Sequence, residues 1–84
     1  MKFYYITFRS VTFAQRGERL LVQEGIRCSL LRTPRWMEER GCGYCLRLWT
    51  ADVHSALSVL RAHQAPMRKV YIQGRDGQLE ELAL

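Results

Sequence analysis

The hydrophobic period of this chain switches between two residues and about 3.6. That switching constrains the fold more than any motif does. Lys2–Phe8 is rich in aromatic and β-branched residues and reads as a strand. Phe13, Ala14, Gly17, Leu20 and Leu21 then recur at three- and four-residue spacing, the mark of one buried helical face, while Arg16, Arg19 and Gln23 fall mainly on the other side. Ser10 is placed to cap this helix of about fifteen residues, and Gly25 to end it in the left-handed conformation. Ile26–Thr33 reads as a second strand, ended by Pro34. In Tyr44–Trp49, Tyr44, Leu46 and Leu48 share one face and Cys45, Arg47 and Trp49 the other. Thr50 is placed to cap a second helix with Asp52 near its positive end, and Val53, Ala56, Leu57 and Leu60 form its apolar stripe. Met67–Gln73 reads as a fourth strand and Gly74–Gly77 as a turn. Gln78–Leu84 is compatible with a short strand folding back or a short amphipathic helix.

The order β-α-β-β-α-β predicts an α+β, ferredoxin-like sandwich: a four-stranded antiparallel sheet, strands one and three central, with both helices on one face. Residues 1–84 are expected to form a single domain, with a core of 2–73 and a tail of 74–84. A chain of this length buries only about 60–65% of its unfolded surface, so a homodimer or other homo-oligomer is expected. No apolar run approaches the roughly 20 residues that span a bilayer. The first residues read as a strand, not a signal peptide. An odd cysteine count, three, points to free thiols in a reducing compartment, and a cytoplasmic protein is expected.

The stretch Arg32–Cys45 is the longest connection, and function concentrates on connections that a packed scaffold holds open to reagents. Cys42 lies between Gly41 and Gly43, which remove steric cover, and Arg35 and Arg40 are close enough in sequence to favour its thiolate. A thiolate of this kind attacks sulfane sulfur and forms a persulfide; the selenium analogue follows the same logic. Cys42 and Cys45 also form a Cys-Gly-Tyr-Cys pair, which makes Cys45 a candidate redox partner. Redox pairs usually sit at a helix N-terminus, however, and this one runs into a strand. Cys28 and Cys45 read as packing cysteines. Structural zinc needs four ligands, and only Cys28, His54 and His63 remain, on unrelated elements, so no metal is expected.

The second constellation is the sheet face away from the helices. If Tyr4, Ile6 and Phe8 pack under the helices, Phe3 and Tyr5 emerge beside Arg47, Trp49 and Tyr71. Aromatic residues next to arginine suit stacking of single-stranded bases. Exposed aromatic patches in small domains often mark interfaces, so the favoured reading is that a symmetric partner or the C-terminal tail covers this face, with a binding surface for nucleic acid or another protein as the alternative. The glycine-aromatic run of RNA-recognition motifs is missing, so nucleic acid is not favoured. The net charge of +5 is compatible with nucleic acid, phosphorylated ligands or an acidic partner, and on charge alone a solvated basic surface is the favoured reading. No paired carboxylates, phosphate-binding glycine loop or serine–histidine constellation is present, and no cofactor is expected.

Several short segments, in this order and spacing, resemble a small bacterial family described as "putative selenium/sulfur carrier protein-like". They are Thr7-Phe8-Arg9-Ser10, Glu18-Arg19-Leu20-Leu21 with Gly25-Ile26, Thr33-Pro34-Arg35, Cys42-Gly43 and Leu46-Arg47, spread over residues 3–73. The resemblance implies a carrier or accessory protein without independent turnover. Cys42 would hold the chalcogen, with Ser10, Thr33, Pro34, Arg35 and Gly43 as the matching substrate- or anion-binding positions. A cysteine desulfurase or selenium-handling enzyme would be the partner. Cys45 departs from the family pattern and keeps the redox alternative open.

Overall fold

A computed structural model describes residues 3–33, 43–49, 52–65, 67–73 and 78–82. The elements follow in the order β1 (Phe3–Phe8), α1 (Val11–Gln23), β2 (Cys28–Arg32), β3 (Tyr44–Trp49), α2 (Val53–Ala62), β4 (Met67–Gln73) and β5 (Leu79–Leu82). All strand pairs are antiparallel, and the sheet order is β2-β3-β1-β4-β5.

The four-stranded sheet expected from the pattern is therefore a five-stranded one. The tail resolves as a strand because it pairs with the otherwise bare edge of β4 and satisfies its backbone groups. Leu82 lies opposite Val70 and packs partly against the core, and Glu81 lies opposite Tyr71. Lys69 Nζ stands 3.5 Å from Glu81 Oε1. The pair is half exposed, so it contributes well under about 1 kcal/mol.

Both helices pack on one sheet face. Ile6, Phe8, Leu46, Leu48 and Val70 meet Ala14 and Leu21 of α1 and Ala56 and Leu60 of α2 in one buried cluster. Gly17 lets α1 settle closely. A Cβ there would lie 3.0 Å from the Phe8 ring and 3.3 Å from Leu46. The helix is two residues shorter than the roughly fifteen its periodicity predicts, spanning 13. Phe13, expected on its buried face, is 37% exposed because the first turn overhangs a surface cleft.

The helix ends have local causes. Ser10 caps α1, its hydroxyl accepting the Phe13 N–H at 3.3 Å. At the other end Gly25 adopts φ +75°, the Ile26 N–H donates to the Leu21 carbonyl at 2.9 Å and the Gly25 N–H to Val22 at 3.0 Å. This is a Schellman closure. Helix α2 closes the same way without a glycine: Gln64 takes φ 55°, the Ala65 N–H donates to Leu60 at 2.9 Å and the Gln64 N–H to Arg61 at 3.0 Å. In each case the following residue, Ile26 or Ala65, is buried. Asp52 occupies the N-cap position of α2 without a side-chain cap bond. Thr50, the expected cap, lies outside the described residues.

Candidate functional site

The Arg32–Cys45 connection leaves and re-enters the sheet at one end. Arg32, the last residue of β2, pairs with Tyr44, the first of β3, and the Thr33 N–H donates to the Gly43 carbonyl at 3.0 Å. This backbone bond extends the ladder one step beyond both strands. Thr33 and Gly43 are both buried. Cys42, Pro34 and Arg35 lie outside the described residues.

Tyr44 is also opposite Phe8, and Phe8 opposite Met67. The ends of β2 and β1 and the starts of β3 and β4 thus share one rim. Strand spacing puts the starts of β3 and β4 about 10 Å apart. Ser10 stands on this rim, its oxygen committed to the α1 cap. Beside it a cleft of about 560 Å3 is lined by Arg9, Phe13, Met67, Arg68 and Lys69. These rim cations were not singled out by sequence reasoning; two of them follow Met67 directly, and strand alternation alone does not reveal that β4 starts beside Arg9.

Thr7 shapes the rim. Register shifts between Ile6 and Phe8 where β1 meets β4. There the Thr7 hydroxyl accepts the Lys69 N–H at 3.0 Å and faces the Lys69 carbonyl at 3.3 Å as donor, replacing the missing ladder contacts.

The two described cysteines are free, and neither is a ready nucleophile. Burial first, and the Glu18 carboxylate second, push the Cys28 thiol from 9.0 up to about 11. Cys45 is wholly buried. Burial raises its pKa, against smaller opposing effects from the Thr33 hydroxyl and the Arg47 charge. The Thr33 hydroxyl is near enough to polarise that thiol, yet among the described residues Oγ1 has no hydrogen bond of full geometry.

The opposite sheet face carries the second constellation. Phe3 pairs with Trp49, and Tyr5 stands between Arg47 on β3 and Tyr71 on β4. The Phe3 and Trp49 rings are 4.7 Å apart between centroids at a 39° tilt, and the Arg47 guanidinium lies 4.8 Å over the Phe3 ring. Trp49 is 37% exposed; Tyr5, Arg47 and Tyr71 are half-buried. Next to this platform a cleft of about 670 Å3 opens at the rim far from Thr33, lined on its other side by Arg27, Cys28 and Ser29. Ser29 is directly opposite Arg47. Alternation along β2 could have assigned it to this face; Arg27, outside any regular element, carried no such signal.

Among the described residues, no group of histidine, cysteine, aspartate or glutamate side chains could hold a metal ion, and no helix is long and apolar enough to cross a membrane. The model of the family described as "Putative Se/S carrier protein-like" matches residues 3–72. No curated protein and no solved structure matches the chain.

Proposed function

The chain belongs to the Se/S carrier protein-like family, and from that premise we propose that it carries sulfur or selenium on Cys42 as a persulfide or selenyl-sulfide. The observation that carries this reading is the state of the other two thiols. Cys28 is held protonated to about pH 11 and Cys45 is buried with its pKa raised, so neither offers a thiolate near neutrality. Cys42 follows a stretch with Arg35 and Arg40 and precedes Gly43, whose carbonyl is tied to Thr33. The Arg9, Arg68 and Lys69 cleft puts positive charge on the rim that the connection leaves from. Both features favour an anionic sulfur over a neutral one.

In the transfer, the Cys42 thiolate attacks the terminal sulfur of a donor enzyme's persulfide. The new S–S bond forms on Cys42 as the donor's S–S bond breaks, and the donor leaves as a thiolate. No net oxidation occurs. Pro34 and Arg35, with Thr33 and Gly43, are read as the anion-binding positions, Ser10 holds the α1 cap on the rim, and an acceptor enzyme would take the atom in the reverse chemistry. The scaffold is read as a ferredoxin-like arrangement extended by β5, acting as a carrier in the cytoplasm, with a cysteine desulfurase or selenium-handling enzyme as donor and a second copy as partner.

The test is intact-mass spectrometry after incubation with a cysteine desulfurase and cysteine. Wild type is expected to gain the mass of one sulfur atom, reversible by dithiothreitol, and Cys42→Ser to gain none. No gain on wild type, or equal gain on Cys42→Ser, removes the proposal. A Cys42–Cys45 disulfide would instead appear as a loss of two hydrogen masses on oxidation, absent in Cys45→Ala.

A further inference from the structure

The far rim of the sheet carries a second feature that sulfur carriage does not use. The geometry points to a binding site, in the cleft between Trp49, Arg47 and Arg27, for a nucleobase bearing a phosphate. The cleft volume of about 670 Å3 falls in the range of small-molecule sites, about 300–1,000 Å3. Its walls divide by chemistry. Trp49 and Phe3 form an aromatic corner, with the Trp49 ring partly open to solvent. Arg47, Arg27 and Ser29 supply donors and positive charge.

Arg47 is held ready. Its guanidinium lies 4.8 Å over the Phe3 ring, an arrangement that fixes the group while leaving its edge N–H donors free. No carboxylate forms an ion pair with Arg47 or Arg27 among the described residues. The Ser29 hydroxyl lies across the β2–β3 ladder from Arg47 and can add a donor to the same anion. Arg47 and Trp49 are two residues apart on one strand face, so their Cβ atoms are about 7 Å apart. That spacing matches a ring stacked on Trp49 with its 5′-phosphate on Arg47. Cys28, at the cleft wall, stays a neutral thiol until about pH 11 and does not repel the anion.

An acidic peptide would use the arginines but leave the open Trp49 ring without a stacking partner. A second copy of this chain would bring its own excess of positive charge, +5, to the same arginines. Charge and ring together favour the nucleotide. The base can come from a free nucleotide or from a single-stranded RNA, and the chemistry of recognition is the same.

The experiment is calorimetric titration and amide-shift mapping of the full chain at low salt. Uridine and adenosine monophosphate, the bare nucleosides, inorganic phosphate and an oligouridylate of about eight nucleotides serve as probes. The monophosphates are expected to shift Trp49, Arg47 and Ser29. The nucleosides and inorganic phosphate are each expected to bind at least about tenfold more weakly. Arg47→Gln and Trp49→Leu are expected to lower affinity by about tenfold or more while the amide spectrum away from the cleft stays that of the folded wild type, and Cys42→Ser to leave affinity unchanged. A steep loss of oligouridylate affinity with salt, alongside tighter binding than the monophosphate, assigns the base to an RNA strand; equal affinities assign it to a free nucleotide. The proposal is overturned if the monophosphates shift no residue of the cleft, if inorganic phosphate binds as well as they do, if Trp49→Leu binds as wild type, or if sedimentation shows a dimer that Trp49→Leu dissociates.

Discussion

A thiol kept protonated by burial ties stability to alkaline pH. Cys28 has its pKa raised from 9.0 to about 11, by burial and then by Glu18, and Cys45 is raised by burial. As pH climbs, the unfolded chain releases these protons first, so the folded state binds more of them and stability falls. The contribution is fully present below about pH 9 and is lost as pH rises through about 11. In urea titrations over that window, Cys28→Val is expected to lose less stability than wild type, and Cys28→Val/Cys45→Val less again; parallel curves would show that the thiols do not couple to folding. Thr7 makes a second residue-scale case. Its hydroxyl is buried and bridges both backbone groups of Lys69. Thr7→Val keeps the volume and removes the bridge, so it is expected to cost about 1–3 kcal/mol, measured as a shift in urea midpoint at constant slope.

Among the elements, the helix ends show what could be read in the sequence and what could not. Gly25 announced the stop of α1, and the structure puts it at φ +75°. Helix α2 ends on the same hydrogen bonds with Gln64 at φ 55°, a residue type that carries no such signal because its left-handed conformation is imposed by the burial of Ala65. Gln64→Gly relieves that strain and is expected to stabilise by about 1 kcal/mol; a loss of stability in thermal melts would mean the Gln64 side chain makes a contact worth more. Gly17 is the converse. Alanine there gains about 1 kcal/mol in helix propensity but presses a methyl to 3.0 Å of the buried Phe8 ring. Gly17→Val adds bulk without that propensity gain and is expected to cost about 2–3 kcal/mol by overpacking. Alternation also placed Phe3, Tyr5, Arg47, Trp49 and Tyr71 on one face, because a period of two leaves no choice once Ile6 and Leu46 are buried. The tail was illegible for a different reason. Leu79–Leu82 is too short to show a period, and what makes it a strand is the open edge of β4, a tertiary fact. Pro34, Arg35 and Cys42 lie outside the described residues, and their reading comes from the Thr33-Pro34-Arg35 and Cys42-Gly43 segments of the sequence.

Taken as a whole, the two proposals draw on described residues at opposite rims of one sheet. Phe3 and Phe8 begin and end β1, about 17 Å apart at strand rise. The Phe3 end carries Trp49 and the arginine cleft, and the Phe8 end carries Thr33, Gly43 and the Arg9–Lys69 cleft. That separation exceeds the Debye length of about 8 Å at physiological salt, so charges on the two rims act on each other weakly. Side chains this far apart without shared partners are usually additive within about 0.3–0.5 kcal/mol. Independence follows and can be measured as a cycle. Arg47→Gln is expected to leave the rate of sulfur loading within about twofold of wild type, and loading with sulfur is expected to leave nucleotide affinity equally unmoved. Coupling beyond about 1 kcal/mol, read as a fivefold change in either quantity, would mean that β1 and β3 transmit strain between the rims. Arg47 is the residue through which that would happen, since it faces the nucleotide cleft and also lowers the pKa of Cys45, two residues along β3 and two short of the rim where Thr33 and Gly43 meet.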